Sequence, residues 1–258
     1  MNLDISSILQ DWASSSTKNL RQISDHNGRF ILQIRIDQGP FQGILQMYLE
    51  GRPDGKEPHG YEFALDYYES LSEKAEKFNS ADSFKLDSKD CQELIDESRC
   101  IYERYAFLLQ LADYKRVIRD TQHNMKIFRF VAKHASNEED RLSLERWWPY
   151  IIRINGTAKA MMAVEKNDHR SAISLIDKTI SRIKALAEVD SYEFFSEKER
   201  SLVSLDELRV KLKKDCKPSH LEKLKIDLEE AIRRENYEMA AKIRDELNLL
   251  PEENSQNK

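Results

Sequence analysis

Glycine and proline are scarce, with seven Gly and six Pro in 258 residues. That is too few for the closely spaced turns of an all-β sandwich, so helices should dominate. Cysteine is scarcer still. Cys91, Cys100 and Cys216 form no C-x-x-C pair, which excludes a zinc ribbon or a dithiol redox motif. Their odd number and wide dispersion suit reduced thiols in a cytosol, and the expected location is cytoplasmic. The opening MNLDISSILQDW carries Asp4 and no long apolar run, so it predicts neither a signal peptide nor a membrane span. Positive charge is in deficit: 41 basic against 46 acidic residues give −5, which argues against direct, sequence-independent binding to phosphate backbones. There is no G-x-x-x-x-G-K-[ST], H-E-x-x-H, G-x-S-x-G or kinase signature, and no acids stand out as a catalytic pair. The expectation is therefore a non-enzyme, with no catalytic, cofactor-binding or metal-ligating residues.

What is present is a soluble, globular balance: 40% hydrophobic against 34% charged residues, in a chain long enough for one large domain or two modest ones. Leu3–Trp12 reads as a short helix with Ile5, Ile8, Leu9 and Trp12 on one face, followed by a polar linker at 14–17. Asn19–Ser24, Arg29–Asp37 and Gly43–Glu50 read as an antiparallel β-meander, the first pair joined at His26-Asn27-Gly28. In its central strand Phe30, Leu32, Ile34 and Ile36 should face a core and Gln33, Arg35 and Asp37 should face away. Gly51–Gly60, GRPDGKEPHG, is the one Gly/Pro-rich stretch; Arg52, Asp54 and His59 make it a low-ranking candidate for an anion or metal site.

From Tyr61 onward the pattern is helical: 61–78, about 86–112, 114–135, 138–166, 169–187 and 197–214. A polar loop is expected at 79–84. Ala112-Asp113-Tyr114 and Asn167-Asp168-His169 both match the corner of a tetratricopeptide repeat (TPR), and Ala160 and Ala172 fall where close helix crossing wants small residues. The corners lie 55 positions apart rather than 34, so either an elongated TPR-like pair of hairpins or an ordinary helical bundle fits. Trp147-Trp148-Pro149-Tyr150 reads as aromatic packing at a kink. Arg116, Arg119, His123 and Lys126 lie at helical spacing as a candidate strip for an anion or an acidic partner.

The most specific stretch is Ser219–Leu250. Pro218 precedes an S-x-x-E capping box, Ser219 to Glu222, and Leu221, Leu224, Leu228, Ala231 and Ile232 recur on one helical face. Glu235-Asn236 breaks the pattern. A second run then sets Ala240, Ile243, Arg244, Leu247 and Leu250 together before Pro251. Two short helices and a tight turn make an antiparallel hairpin, too thin to stand alone, which must either cap the chain's own core or pack on another chain. Within it, Leu224, Leu228, Ala231, Tyr237-Glu238, Ala240-Ala241 and Arg244-Asp245 resemble the UVR motif, the helical hairpin of the bacterial excision-repair proteins UvrB and UvrC. Ile232-Arg233-Arg234 departs from the family's small and acidic residues at those places. The motif also occurs in ClpC-type chaperones and in McsA-type regulators, whose zinc-binding cysteine pairs this chain lacks. Gly51–Glu69, with its R-P-D-G and P-H-G, is similar to a segment of stand-alone bacterial UVR-motif proteins.

The resemblance implies a protein–protein docking element. The expected contact residues are Leu224, Leu228, Ala231, Tyr237, Ala240, Ala241, Ile243, Arg244 and Leu247. The expected partner is a UVR-bearing protein, either UvrA, UvrB or UvrC or a Clp chaperone, or a second copy of the chain. The fold expected is mainly α with a small N-terminal antiparallel β-meander. It comprises an α+β region at 1–80, a TPR-like helical domain at 86–215 and the hairpin at 219–250. The function expected is a non-catalytic adaptor, the alternative being a nucleic-acid-associated repair accessory.

Overall fold

The computed structural model describes residues 5–12, 19–77, 84–216 and 220–249. The expected linker at 14–17 and most of the loop at 79–84 lie outside them. The chain is mainly helical, and it divides into two compact units, Met1–Arg209 and Val210–Lys258. The first unit holds both the expected 1–80 region and nearly all of 86–215.

Three strands, β1 (Leu20–Ser24), β2 (Phe30–Gln38) and β3 (Phe41–Tyr48), form an antiparallel meander in chain order. Leu20, Ile34 and Leu45 pair in register across it, as do Arg21, Gln33 and Gln46. Alternation in β2 predicts one wet face, yet Gln33 and Arg35 are buried along with Leu32 and Ile34. The cause is α1 (Ser6–Asp11) lying over the polar face. The Arg35 guanidinium donates to the carbonyls of Leu9 and Trp12 at the end of that helix, where a cation complements the free C=O groups. Arg21 sits 4.2 Å over the Trp12 ring and donates to Gln33, which donates to Gln46. A row of polar side chains can be buried because each has a partner.

Beyond a 3-10 turn at Pro58–Gly60 come α2 (Ala64–Lys77), α3 (Ser88–Gln110), α4 (Tyr114–His134), α5 (Glu138–Glu145), α6 (Trp148–Glu165), α7 (His169–Lys184) and α8 (Tyr192–Asp215). Asp87 caps α3 by accepting from the Lys89 and Asp90 backbones while Asp90 bonds back to it, a reciprocal cap that starts the helix sharply. The sequence pattern predicts one helix over 138–166; the structure has two. Pro149 lacks the N–H a continuous helix would need, so the chain breaks at Arg146-Trp147 and restarts with proline in the first turn.

The α3–α4 and α6–α7 hairpins turn through the same corner. Ala112 and Asn167 take left-handed φ of 55° and 58°. The next N–H, of Asp113 or Asp168, bonds back five residues to Leu108 or Ala163 at 3.0 and 2.9 Å. Each aspartate then caps the following helix. The inserted α5, together with the length of α4 and α6, accounts for the 55-residue spacing between corners. The likeness to a TPR rests on these corners.

Ala160 and Ala172 are fully buried, and Gly156 takes the tightest place between α6 and α7. A Cβ built there would lie 2.2 Å from Thr179 Oγ1 and 2.8 Å from Thr179 Cβ. Gly156→Ala should therefore force the two helices apart and cost roughly 1–3 kcal/mol, despite alanine's better helix propensity. Urea denaturation showing an equal or higher midpoint would contradict this account of the crossing. No helix among the described residues is long and apolar enough to cross a membrane.

Candidate functional site

In the second unit, α9 (His220–Arg233) and α10 (Tyr237–Leu249) form the expected antiparallel hairpin. Its corner repeats the two in the first unit. Glu235 is left-handed at φ 56°, the Asn236 N–H bonds back to Ala231 C=O at 2.9 Å, and Asn236 Oδ1 caps the Met239 N–H at 3.1 Å. Glu235-Asn236-Tyr237 thus parallels Ala112-Asp113-Tyr114, a legible pattern once the break at Asn236 is read as an Asx cap.

The seam closes within the hairpin. Leu224, Ala231, Ala240 and Ile243 are buried against one another, with Leu228 and Leu247 packed beside them half-buried. These six expected contact residues therefore hold α9 to α10 first, and only the flanks of Leu228 and Leu247 reach the surface. Ala231 and Ala240 lie on the two helices at the corner end, where their small side chains let the backbones approach closely. Of the remaining expected residues, Ala241 is half-buried and Tyr237 is 69% exposed. Arg244 is exposed and pairs with neighbouring Asp245 at 3.2 Å, a contact of the kind that contributes little to stability. The side chains of Leu221 and Glu222, together with Pro218, Ser219, Leu250 and Pro251, lie outside the described set.

Ile226 and Met239, which the sequence did not single out, and Ile232 are each more than half exposed, alongside Tyr237. Ile232, expected on the seam face with Leu228 and Ala231, is instead exposed and takes no part in the buried seam. On α9 it lies one turn beyond Leu228, and on α10 Tyr237 shares a face with Ala241 and Arg244. Apolar flanks beside a filled seam leave a surface that a further helix pair can cover.

The model for the UvrB/UvrC motif matches residues 220–252. This chain carries a UVR motif. No curated protein and no solved structure matches it. The matched stretch is about an eighth of the sequence.

The other candidate residues are drawn into the first unit's own architecture. Arg116 pairs with Asp113 and Glu50 at 2.8 Å. Arg119 holds Glu50, Asp120 and the Leu49 carbonyl. The expected basic strip is instead drawn into the fold: Arg116 and Arg119 clamp the end of β3 to α4, and Lys126 alone of its four members has no hydrogen bond or ion pair among the described contacts. His123, beside them, bonds to buried Glu97 at 3.1 Å. Helical spacing shows that these residues share a face but not that an acidic loop lies opposite.

The Gly51–Gly60 loop is equally occupied. Arg52 pairs with Asp54 at 2.9 Å and with Glu97 at 3.0 Å. His59 bonds Glu93 at 2.9 Å and stacks on Tyr67 with ring centroids 4.0 Å apart. Burial would raise the Glu93 carboxyl, but hydrogen bonds from His59 and Tyr68 hold it below its ordinary value. Gly55 is required there: its φ is +68°, and a Cβ would come within 2.5 Å of the Tyr48 ring. The thiol of Cys91 is buried and pushed up to about 12 by that burial, so it is no nucleophile near neutral pH.

Proposed function

We propose that the protein is a non-catalytic cytoplasmic adaptor whose UVR hairpin docks onto a second UVR hairpin, from another protein or from another copy of the chain. The observation that carries this reading is a hairpin whose seam is filled while Leu228, Ile232, Tyr237 and Ala241 leave an apolar flank open. Two antiparallel helices make one layer, and pairing two such layers yields a four-helix bundle with a proper core. Charged residues at the rim, Arg244 among them, would set register and partner choice. Partners consistent with the motif are excision-repair proteins such as UvrA, UvrB or UvrC, and Clp-type chaperones.

The test separates seam from flank. Ile232→Glu with Tyr237→Glu should leave the helical circular dichroism unchanged. Capture of a UVR-bearing partner, or self-association measured by light scattering, should weaken at least about thirtyfold, the scale of an interface hot spot. Ala240→Asp should instead unravel the hairpin by placing a charge in its seam. Equal capture by the wild-type chain and the flank variant would remove this docking surface from consideration. The nucleic-acid reading is not retained, because Arg116 and Arg119 already hold carboxylates of the chain itself.

A further inference from the structure

A cavity of about 460 Å³ opens in the first unit among α3, α4, α5, α6 and the first half of α8, within the size range of small-molecule sites. Five aromatic rings line it: Tyr102, Tyr105, Phe128, Trp147 and Tyr150. Tyr102 meets Tyr105 edge-on at 5.5 Å and Tyr150 at 5.9 Å, so these walls are braced by one another. Trp147 is 41% exposed at the break between α5 and α6.

Asn124, 1% exposed, also lines the cavity. Its Nδ2 donates to the Ser98 carbonyl at 2.8 Å, which fixes which end of the amide is nitrogen. Its Oδ1 is buried and accepts no hydrogen bond among the described residues. A buried acceptor left so is destabilising, and only an N–H or O–H group can relieve it. Neighbouring Tyr105 makes no hydrogen bond to that oxygen.

The charged lining residues are Arg99, Arg200 and Glu197. Glu197 is buried and already accepts from Arg153 at 3.1 Å and from Arg200 at 3.2 Å. Arg99 pairs with Glu103 at 3.7 Å, and the Arg99 and Arg200 side chains remain 76% and 70% exposed. Each guanidinium keeps most of its surface and several donors open to an added anion. A cationic ligand, which the aromatic walls alone would suit, would face two arginines.

We infer that this cavity binds a small aromatic acid: a planar ring between the aromatic walls, a ring N–H or O–H donated to Asn124 Oδ1, and a carboxylate or phosphate at Arg99 and Arg200. The site lies wholly in the first unit and is independent of the hairpin's docking role.

Calorimetric titration of the full chain with two probes, indole-3-acetate and 4-hydroxyphenylacetate, tests it against their donor-blocked counterparts, 1-methylindole-3-acetate and 4-methoxyphenylacetate. The two donors should saturate at submillimolar concentration and bind at least about tenfold tighter than the blocked acids, the equivalent of one buried hydrogen bond. Asn124→Leu should abolish that preference, and Arg99→Gln with Arg200→Gln should weaken all four acids alike. Trp147→Ala, at an exposed position, should also weaken all four with unchanged circular dichroism, which keeps the site testable should Asn124→Leu not fold. Absence of saturable binding by all four acids, equal affinity for donor and blocked forms, or wild-type affinity in the Trp147 and arginine variants would each overturn the assignment.

Discussion

Arg104→Met is expected to cost the first unit about 3–5 kcal/mol, the scale for removing one partner of a buried ion pair. Arg104 is 1% exposed. Its Nε and Nη2 meet the two oxygens of buried Asp120 at 2.7 and 2.8 Å, and its Nη1 donates to the Tyr48 and Gly51 carbonyls at 2.9 and 2.6 Å. One guanidinium therefore joins α3 to α4 and holds the end of β3 against both. Methionine fills much of the volume but offers no donor, leaving a carboxylate and two carbonyls short of partners. Guanidinium denaturation should show the loss. Hydrogen exchange should speed selectively at the end of the sheet, where the Leu49 N–H bonds Phe30 C=O. Adding Asp120→Leu should recover part of the stability, since it removes a buried carboxylate left with Arg119 as its remaining cation. A loss below about 1 kcal/mol, or a double variant weaker than the single, would show that the pair is not what fastens sheet to helices.

Glu97→Leu is expected to have an effect of similar size, by a different route. Glu97 is fully buried yet accepts four hydrogen bonds: Arg52 at 3.0 Å, His123 at 3.1 Å, and the Ala64 and Leu65 backbone N–H groups at 2.5 and 3.4 Å. The last two are free donors at the start of α2, where a carboxylate also complements the positive end of the helix. Leucine would leave the Arg52 guanidinium without its buried partner and those N–H groups without an acceptor, at roughly 3–5 kcal/mol. Glu97→Gln retains an acceptor but loses the charge, so a smaller loss of about 1–2 kcal/mol is expected. Limited proteolysis should find the 51–63 segment newly open in Glu97→Leu. Matching stabilities for the Leu and Gln variants would mean that the buried charge does not organise this loop.

These two nodes explain why the Gly51–Gly60 loop and the basic strip drew attention as sites. Arg52, His59, Arg116 and Arg119 look available in sequence because their partners, Glu97, Glu93 and Glu50, lie 34 to 69 positions away. Each carboxylate reaches its cation only after the sheet docks on α3 and α4. Arg99 and Arg200, by contrast, pair with Glu103 and Glu197 three or four positions away and keep most of their side chains exposed.

The sequence by itself determined what depends on near neighbours along the chain. Scarce glycine and proline with helical periodicity fixed a mainly α fold. Strict alternation about His26-Asn27-Gly28 set the meander, because side-chain direction in a strand follows from position alone. Asp113, Asp168 and Asn236 mark helix corners because an Asx cap acts within three residues. The UVR motif was legible because its contacts close inside thirty-odd residues. Tertiary structure decided what depends on distant partners: that both faces of β2 are covered from Leu32 to Arg35, that Leu224, Ala231, Ala240 and Ile243 are buried against one another while Ile232 is exposed, and that Asn124 Oδ1 lies buried without a donor beside an aromatic cavity. Burial and pairing are properties of what lies opposite a residue. Local periodicity gives its direction but cannot name what it meets.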